Sequence, residues 1–292
     1  LPDAGRDGVS GDTTDRGITH YSTTPLPMMP DDPPFDSDDL DSLYELYHKN
    51  LASLVAEPAL APARSTPAST SESASKTYQR AATVPLAEPA ESAFLSRLRQ
   101  RSSYTDGTER RPITDTELAT LLAYSYGEIR ETAAGEPRRP VASGGACYPL
   151  ELYPIVVDSP DVEAGIYHFN VQEGALERLA DGDYADWLRA AWTWLSDDDA
   201  VSAVVVITAV PERAAAKYDE LGYLFAGIET GAVIQNLQLV ATELGIGSRP
   251  HNGVDYRAVR EQLRLRSDEY LMSTVVFAGT TPEGATGPTD DR

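Results

Sequence analysis

The stretch AVPERAAAKYDELGYLFAGIETGAVIQNLQLVATELGIG, residues 209–247, joins the most apolar helical pattern of the chain to one of its rare lysines. Against 21 arginines the chain has only three lysines: Lys49, Lys76 and Lys217. From about residue 217 to 244 the pattern is apolar nearly all round, which predicts a helix buried in a large core or between subunits. Lys217 lies beside Tyr218 at the start of that predicted helix. The surroundings of this lysine are therefore the first question for the function of the chain.

Strand patterns on both sides of this stretch define the fold class. They fall at LELYPIVVDS (150–159), GIYHFN (165–170), GALERLA (174–180), SAVVVITAV (202–210) and LMSTVVFAGT (271–280). Helices are predicted at ITDTELATLLAYSYG (113–127), which opens with a Thr114/Glu117 capping box, and at DYADWLRAAWTWL (183–195). Because strands and helices mix without strict βαβ alternation, we predict an α+β fold rather than a Rossmann fold.

Composition divides the chain into four segments. Residues 1–35 are Gly, Asp, Thr and Pro without periodicity, which predicts a disordered acidic tail. Residues 36–77 predict an N-terminal helix followed by a Pro/Ala/Ser linker. Residues 78–281 hold the dense patterns and predict one folded domain, and residues 282–292 predict a second disordered tail.

The charge balance argues against nucleic-acid and membrane partners. With 46 acidic and 24 basic residues the formal net charge is −22, which repels phosphates and anionic lipids. No apolar run approaches the ~20 residues that a bilayer requires, and no signal-peptide core is present, so we predict a cytoplasmic protein. Acid excess with scarce lysine predicts a halophilic protein, and an acidic protein from a GC-rich mesophile is the alternative.

Several enzyme classes lack their motifs in this sequence. The four histidines are scattered, with no i, i+4 pair, at His20, His48, His168 and His251. A single cysteine, Cys147, cannot build a Cys-rich zinc site, so we predict no metal centre. The absence of a G-x-S-x-G elbow, a P-loop and a G-x-G-x-x-G after a strand argues against hydrolases, kinases and nicotinamide-binding Rossmann enzymes.

Four separated patches carry the candidate chemistry. In the first, LSRLRQRSSYTDG (95–107), guanidinium and hydroxyl groups suit a phosphate, although an ordinary basic helix end gives the same pattern. In the second, VASGGACYPLELY (141–153), two glycines let the backbone approach a flat group, or simply make a tight turn before a strand. The third is the opening stretch, and the fourth is the Gly-rich turn LGIGSRPHNGVD (244–255).

The order and spacing of these patches resemble the nitroreductase superfamily of FMN enzymes. Within it they resemble the SagB-type branch, which includes the azoline dehydrogenases of peptide-natural-product pathways. The matched motifs are R-R-S-x-R at 100–104, P-S-A-G-A-x-Y-P with L-E-L-Y at 142–153, G-x-Y-H-Y at 165–169, R-x-x-x-K-Y-x-x-x-G-Y at 213–223, and E-x-G-x-x-x-Q-N-L-x-L at 229–239. LYHKNL (46–51) also resembles the branch's N-terminal Y-H-E segment. Among the departures from the pattern, Tyr104 replaces the final arginine of the first motif, and Leu224 replaces the arginine of the branch's G-Y-R. No Lys or Arg lies between Arg266 and Arg292, so a C-terminal cation for the phosphate is also missing.

The resemblance implies a three-layer fold, a mixed or antiparallel sheet flanked by helices, and an FMN site at a homodimer interface. It assigns the FMN phosphate and ribityl end to Arg101, Ser102 and Ser103. It assigns the isoalloxazine edge to residues of the other subunit, Ser143, Gly144, Gly145 and Ala146. Gly247, Asn252 and Gly253 complete the implied cofactor site, with a backbone N–H of 252–253 directed at flavin N5.

In the azoline-oxidising members the resemblance gives the proton chemistry to a Lys-Tyr pair, here Lys217 and Tyr218. A lysine of ordinary pKa is charged at neutral pH, so a basic lysine must be desolvated or placed near another cation. The apolar helix start and Arg213, one turn earlier, are the expected sources of these two effects. The alternative is a surface lysine in a strand-to-helix loop.

Three functions are therefore open at this point. The first is a SagB-type FMN oxidoreductase that dehydrogenates a small molecule or a modified peptide. The second is an NAD(P)H-dependent nitroreductase or flavin reductase. The third is a flavin-poor, non-catalytic subunit of a maturation complex, which the missing phosphate cations suggest.

Overall fold

The structure is a computed structural model that describes residues 46–48, 78, 80–103, 111–193, 195 and 201–280. The predicted tails, the linker and most of the predicted N-terminal helix lie outside the described residues. Of that helix, residues 46–48 are described, and they are helical.

The described residues form six helices of seven or more residues and eight strands. The helices are α1 (Ala93–Gln100), α2 (Asp115–Tyr126), α3 (Ala185–Ala191), α4 (Glu212–Tyr218), α5 (Leu221–Leu244) and α6 (Tyr256–Leu263). The strands are β1 (Arg130–Glu131), β2 (Pro137–Arg138), β3 (Leu150–Val156), β4 (Gly165–Asn170), β5 (Ala175–Asp181), β6 (Ala203–Ala209), β7 (Ile246–Pro250) and β8 (Tyr270–Thr280). A short 3₁₀ turn, Gly144–Ala146, precedes β3.

Six strands form the central sheet in the order β5-β4-β3-β6-β8-β7, and each neighbouring pair is antiparallel. β3 and β6 pair in register from Leu150 opposite Ala209 to Val156 opposite Ala203. The predicted α+β class is confirmed, with every pairing in the described sheet antiparallel.

Both faces of the sheet are covered, which confirms the three-layer arrangement. Alternate residues of β6 point to opposite faces, so Val205 and Ile207 join one core while Val204 and Val206 join the other. Helices α2 and α5 pack on the first face, and α3 and α6 pack on the second. A strand buried on both faces has no polar alternation, which is why SAVVVITAV is apolar almost throughout.

The predicted capping box is present at the start of α2. Thr114 Oγ1 accepts a hydrogen bond from the backbone N–H of Glu117, and the Glu117 carboxylate accepts from the N–H of Thr114. These bonds satisfy two of the helix's otherwise unpaired donors. The helix ends before Gly127, as predicted.

The prediction of a single helix from about 217 to 244 is wrong. Residues 212–218 form the separate helix α4, and the helical conformation is interrupted at Asp219, whose φ is 48°. A positive φ at a non-glycine residue cannot continue a right-handed helix. The start of α5 then packs against α4, because a Cβ on Gly222 would lie 2.6 Å from the Ala215 nitrogen.

The single chain does not bury α5 on all sides, so the first alternative for this helix, burial wholly within the core, does not hold. Leu221, Leu224 and Ile228 are 56%, 54% and 62% exposed and lie on one side of the first half of the helix. A Cβ on either Gly227 or Gly231 would meet no atom within 4 Å. An all-round apolar pattern does not distinguish a core helix from a helix at a subunit interface, so the second half of that expectation stays a prediction.

One element inside the region read as a Gly-rich turn, and another directly after it, were not predicted. β7 forms an edge of the sheet beside β8, and α6 begins after Asp255, whose carboxylate caps two backbone N–H groups. The glycines of this segment favoured a turn over a strand, so β7 was not predicted. Its Pro250 is tolerated because it ends an edge strand.

Candidate active site

The turn at Gly144–Ala146 and the residues after it form a strained loop before β3, which we call the glycine loop (residues 143–148). Gly145, Ala146 and Tyr148 have φ values of 61°, 56° and 46°. Left-handed conformations are costly for residues other than glycine and concentrate at functional sites. Ser143 Oγ closes the loop by accepting a hydrogen bond from the Tyr148 N–H at 2.9 Å.

Lys217 and Tyr218 converge on the glycine loop of the same chain. A Cβ on Gly145 would lie 2.7 Å from Lys217 Nζ and 2.8 Å from Tyr218 Oη. A Cβ on Gly144 would lie 2.9 Å from the Phe225 ring, and that ring meets the Tyr218 ring edge-on with centroids 5.0 Å apart. Only glycine therefore leaves room for the side chains of α4 and α5 at this loop.

The environment of Lys217 differs from the expected one. Its side chain is exposed in the chain by itself, so one chain does not supply the predicted desolvation. Arg213, the other expected influence, is ion-paired with Glu151 rather than presented to Lys217 as a bare cation.

A chain of polar groups runs from α4 across the sheet. The Glu151 carboxylate bonds Arg213 through one oxygen and His168 Nε2 through the other, at 2.9 Å, and His168 Nδ1 lies 2.8 Å from Glu177. Burial works to raise the pKa of Glu151, but the bonds from His168 and Arg213 outweigh it, so the pKa is lowered. The bond to Glu151 raises the pKa of His168, against burial and with help from Glu177.

A buried carboxylate lies beneath the glycine loop. Glu229, in α5, is 1% exposed and accepts a hydrogen bond from Tyr126 Oη at 2.7 Å, while that hydroxyl accepts one from the Leu150 N–H at 3.0 Å. Burial raises the pKa of Glu229, and hydrogen bonding from Ser143 and Tyr126 opposes this only in part. Burial, together with the charge of Glu229, also raises the pKa of Tyr126.

Arg139 fixes the last residue of the glycine loop. Its guanidinium carbon lies 4.3 Å from the ring centroid of Tyr126 and 4.7 Å from that of Tyr148, within cation–π range of both. Its backbone N–H donates to Tyr148 Oη at 3.3 Å. The strained backbone of Tyr148 is therefore held by its own side chain.

The predicted phosphate patch lies at the end of α1. Arg101 Nη1 and Gln238 Nε2 both donate to Ser103 Oγ, at 3.2 and 3.0 Å. Arg99 is ion-paired with Glu91, so Arg101 with the exposed Ser102 and Ser103 forms the donor set of this patch. A guanidinium with two hydroxyls fits a phosphate chemically.

One chain does not bring the phosphate patch to the glycine loop. Ser103 contacts Gln238, whereas Gly144 lies against Phe225, thirteen residues earlier on the same helix. At about 1.5 Å per residue these contacts are separated by about 20 Å along α5.

The fourth patch is held to the sheet. Asn252 Oδ1 accepts hydrogen bonds from Ser273 Oγ at 2.7 Å and from the Thr274 N–H at 3.4 Å, and the Gly253 carbonyl accepts from the Thr193 N–H at 2.8 Å. Gly247 is buried in β7, paired with Ala278 of β8. Among the described contacts, no hydrogen bond joins residues 252–253 to the glycine loop or to residues 101–103.

The described part of the N-terminal segment packs beside the start of α5. His48 Nε2 lies 2.9 Å from Tyr223 Oη, and the His48 ring lies 4.8 Å from that of Tyr270. Burial, and then the charge of Arg260, lowers the pKa of His48 to about 4. His48 is thus neutral at physiological pH, and its hydrogen-bond partner Tyr223 lies five residues after Tyr218.

Charged residues within apolar patterns could have revealed the polar neighbours of this site. Glu151 and His168 interrupt strand patterns, and Glu229 interrupts the apolar helix. Burying such groups is costly unless they are paired, so each position signals a partner even though the sequence does not name it. Within the described ranges, no group of three or more ligating side chains could hold a metal ion. None of the described helices combines the length and apolarity needed to cross a bilayer.

Comparison with known proteins identifies the family. The model of the nitroreductase family matches residues 98–279, more than half of the chain. A Methanocaldococcus jannaschii protein named as a nitroreductase is 30% identical over 164 residues, covering 56% of this chain and 81% of that protein. The Microcin B17-processing protein McbC of Escherichia coli is 30% identical over 154 residues, covering 50% of this chain and 55% of McbC.

Solved structures agree on the fold. A chain of the E. coli microcin synthetase McbBCD complex with truncated pro-MccB17 bound superposes with a TM-score of 0.56 at 22% identity, covering 71% of this chain and 79% of that one. This chain belongs to the nitroreductase family, a family of oxidoreductases. It spans only about half the length of McbC.

Proposed function

We propose that this chain is an FMN-dependent oxidoreductase of the SagB type, which removes a hydride and a proton from a heterocycle, as in the oxidation of an azoline to an azole. The observation that carries the proposal is the convergence of Lys217 and Tyr218 on Gly145. A candidate base beside an open stretch of backbone is what the proton-abstracting half of this reaction requires. The similarity to McbC, a peptide-processing protein, supports a modified peptide as the substrate.

In the proposed reaction the substrate ring loses a proton to a base and a hydride to a separate acceptor. The proton of the substrate ring passes to Lys217 Nζ, which must be neutral to accept it, and a new ring double bond forms as the hydride departs. FMN, when bound, supplies the two-electron acceptor. Tyr218 orients or relays the proton. Because Lys217 is exposed in the single chain, its desolvation is assigned to bound substrate and a second copy of the chain.

The residues proposed for FMN are those that the family resemblance implies. Arg101, Ser102 and Ser103 would bind the phosphate, Ser143–Ala146 would lie along the ring edge, and a backbone N–H at Asn252 or Gly253 would serve N5. The donor set of the first patch is exposed and fits an anion, and the glycine loop presents backbone rather than side chains. Both features suit the cofactor.

A homodimer is part of the proposal. The exposed residues Leu221, Leu224 and Ile228, with Gly227 and Gly231 open beside them, form an apolar face on α5 that a second α5 can approach closely. Residues 101–103 and the glycine loop contact α5 at points about 20 Å apart along the helix, and the proposal takes one segment of the shared site from each copy.

A nitroreductase or flavin reductase that uses NAD(P)H is the second candidate. The observation that favours it is the match to the M. jannaschii protein, of which this chain covers 81%. In that reaction the electron donor is a nicotinamide, and Lys217 has no substrate proton to remove.

Spectroscopy and turnover separate the candidates. Full-length protein, purified in molar salt and mixed with FMN, should acquire a flavin spectrum, and azoline peptides should yield azoles, detected as a loss of 2 Da. Anaerobic bleaching by NAD(P)H without azoline oxidation would favour the nitroreductase. Failure to bind FMN in any salt would overturn both candidates and favour a non-catalytic subunit.

Lys217→Arg tests the base directly, because arginine keeps the charge but does not deprotonate in this pH range. Azole formation should fall by at least ~100-fold, the scale of general base catalysis, with FMN binding retained. Lys76→Arg makes the same chemical change elsewhere in the chain and should retain turnover. Full turnover in Lys217→Arg would show that Lys217 is not the base.

A further inference from the structure

The two candidate catalytic side chains, Lys217 and Tyr218, belong to a helix that is too short to be stable without tertiary contacts. α4 has only seven residues, Pro211 provides no side-chain cap at its start, and the helix ends before Asp219, whose φ is positive. Isolated helices of this length are unstable in water. The positions of Lys217 and Tyr218 therefore depend on the tertiary contacts that anchor α4.

Arg213 provides a contact that reaches the glycine loop itself. Its Nη1 donates to the Tyr148 carbonyl at 3.4 Å, and its Nη2 is ion-paired with Glu151. Arg213 and Lys217 are one turn apart on α4, so their side chains leave the same face of the helix. One guanidinium thus connects the helix that carries Lys217 to the loop against which Lys217 lies.

Glu151 is a firm partner for this arginine. It lies in β3, and its side chain is only 17% exposed. Its second oxygen bonds His168 Nε2, and the other nitrogen of that ring bonds Glu177. Both carboxylate oxygens are therefore engaged, which restricts the rotation of the group that Arg213 holds.

The outer side of this ion pair is open. A cavity of about 450 Å³ is lined by Glu151, His168 and Arg213, together with residues of β5 and α6. Truncating Arg213 therefore leaves a space that water can enter, not a void within a packed core. A substitution here can displace α4 without unfolding the domain.

We propose that Arg213 is a positioning residue, anchored by Glu151 and by the Tyr148 carbonyl, that keeps Lys217 and Tyr218 against Gly145. The inference rests on the proposed dehydrogenation for its catalytic consequence. Its structural part concerns only the placement of Lys217. Arginine is required because its planar fork reaches two acceptors at once, whereas lysine offers a single ammonium.

The scarcity of lysine makes the placement measurable without FMN or substrate. Reductive ¹³C-methylation labels the three lysines, and the Lys217 signal is identified by its loss in Lys217→Arg. Lys217 Nζ lies 5.4 Å from the centroid of the Tyr218 ring and adjoins Gly145, so its methyl groups report on this geometry. Arg213→Ala and Arg213→Lys should both move this signal toward the position of free dimethyl-lysine. The additional lysine of the second variant gives its own signal, which is recognised because Arg213→Ala lacks it.

The matched control is Arg178→Ala, in β5. This change removes an exposed arginine that pairs with Glu163 and Asp181 and not with Glu151. It should leave the Lys217 signal unchanged. Glu151→Gln should shift the signal in the same direction as Arg213→Ala, and the double variant should shift it no further. An unchanged Lys217 signal in folded Arg213→Ala and Arg213→Lys would overturn the proposal, whatever the enzyme's activity.

Kinetics add the catalytic consequence. If azoline oxidation is confirmed, Arg213→Ala should lower kcat by about 100-fold, the cost of misplacing a catalytic group by about 1 Å, with KM changed less than about twofold. A loss confined to KM would assign Arg213 to substrate binding and overturn the positioning role. If no azoline is oxidised by the unsubstituted protein, the proposed function fails, while the lysine signal still decides whether Arg213 places Lys217.

Discussion

Gly145→Ala tests the central contact of the proposed site. Gly145 has a φ of 61°, and a Cβ built there lies 2.7 Å from Lys217 Nζ and 2.8 Å from Tyr218 Oη. A left-handed alanine costs about 1–2 kcal/mol relative to glycine. The two colliding atoms are the ends of side chains and can swing away, so we expect the free energy of unfolding to fall by little more than this backbone cost.

The effect on turnover should be much larger than the effect on stability. A comfortable non-bonded separation from the new carbon is about 3.5–4.0 Å, so both side-chain ends must retreat by roughly 1 Å. A displacement of this size at a reacting group costs about 100-fold in rate. We therefore expect azole formation to fall by about two orders of magnitude while the protein stays folded.

Gly174→Ala is the matched control. Gly174 has a φ of 60°, but no atom lies within 4 Å of its added Cβ, so it carries the same backbone cost without the collision. Urea unfolding should give similar losses of stability for the two variants, and single-turnover azole formation should be impaired only in Gly145→Ala. Equal turnover in the two variants would refute the placement of Lys217 and Tyr218 at the reaction centre.

Three further predictions concern the surroundings of the site. Tyr126→Phe should lower the free energy of unfolding by about 2 kcal/mol in urea titrations, because buried Glu229 loses its donor; an unchanged stability would contradict this. The raised pKa of His168 means that its stabilisation is complete below the ordinary imidazole pKa of about 6.5 and is lost as pH rises through the raised value. His168→Asn should thus destabilise the protein more near pH 6 than near pH 9, and a pH-independent difference would count against it. Ile228→Glu should shift light-scattering mass from dimer to monomer, whereas Leu179→Glu, at another exposed apolar position, should not; a dimer in both variants would exclude this face of α5.

Local chemistry made much of the fold predictable. The Thr114/Glu117 box is a short-range signal that needs no knowledge of the rest of the chain, and it appears in the structure where it was predicted. The pattern of β6 was equally direct, because only a strand covered on both faces tolerates seven buried residues in succession. The order of the motifs also identified the family correctly, since spacing along the chain survives where individual residues change.

The break between α4 and α5 was not predictable from the apolar pattern. Nothing in the periodicity marks Asp219, and the close approach of Gly222 to Ala215 depends on how the two helices fold back on each other. The exposure of Leu224 has the same origin, because a residue's apolarity is local while its burial depends on what covers it. These outcomes belong to tertiary structure, so sequence periodicity could not have decided them.

In the proposed reaction, the different roles of Arg213 and Lys217 would account for a lysine at position 217 in a chain that otherwise favours arginine. An anchor needs a cation that stays charged and spans two acceptors, and the guanidinium of Arg213 meets the Tyr148 carbonyl and the Glu151 carboxylate together. A base needs a cation that can lose its proton, which arginine does not do in this pH range. One turn of α4 separates the two side chains, and the geometry places the permanent charge against the sheet and the ionisable one against the glycine loop. The proposed reaction uses, at position 217, a property that arginine lacks: the loss of a proton near neutral pH.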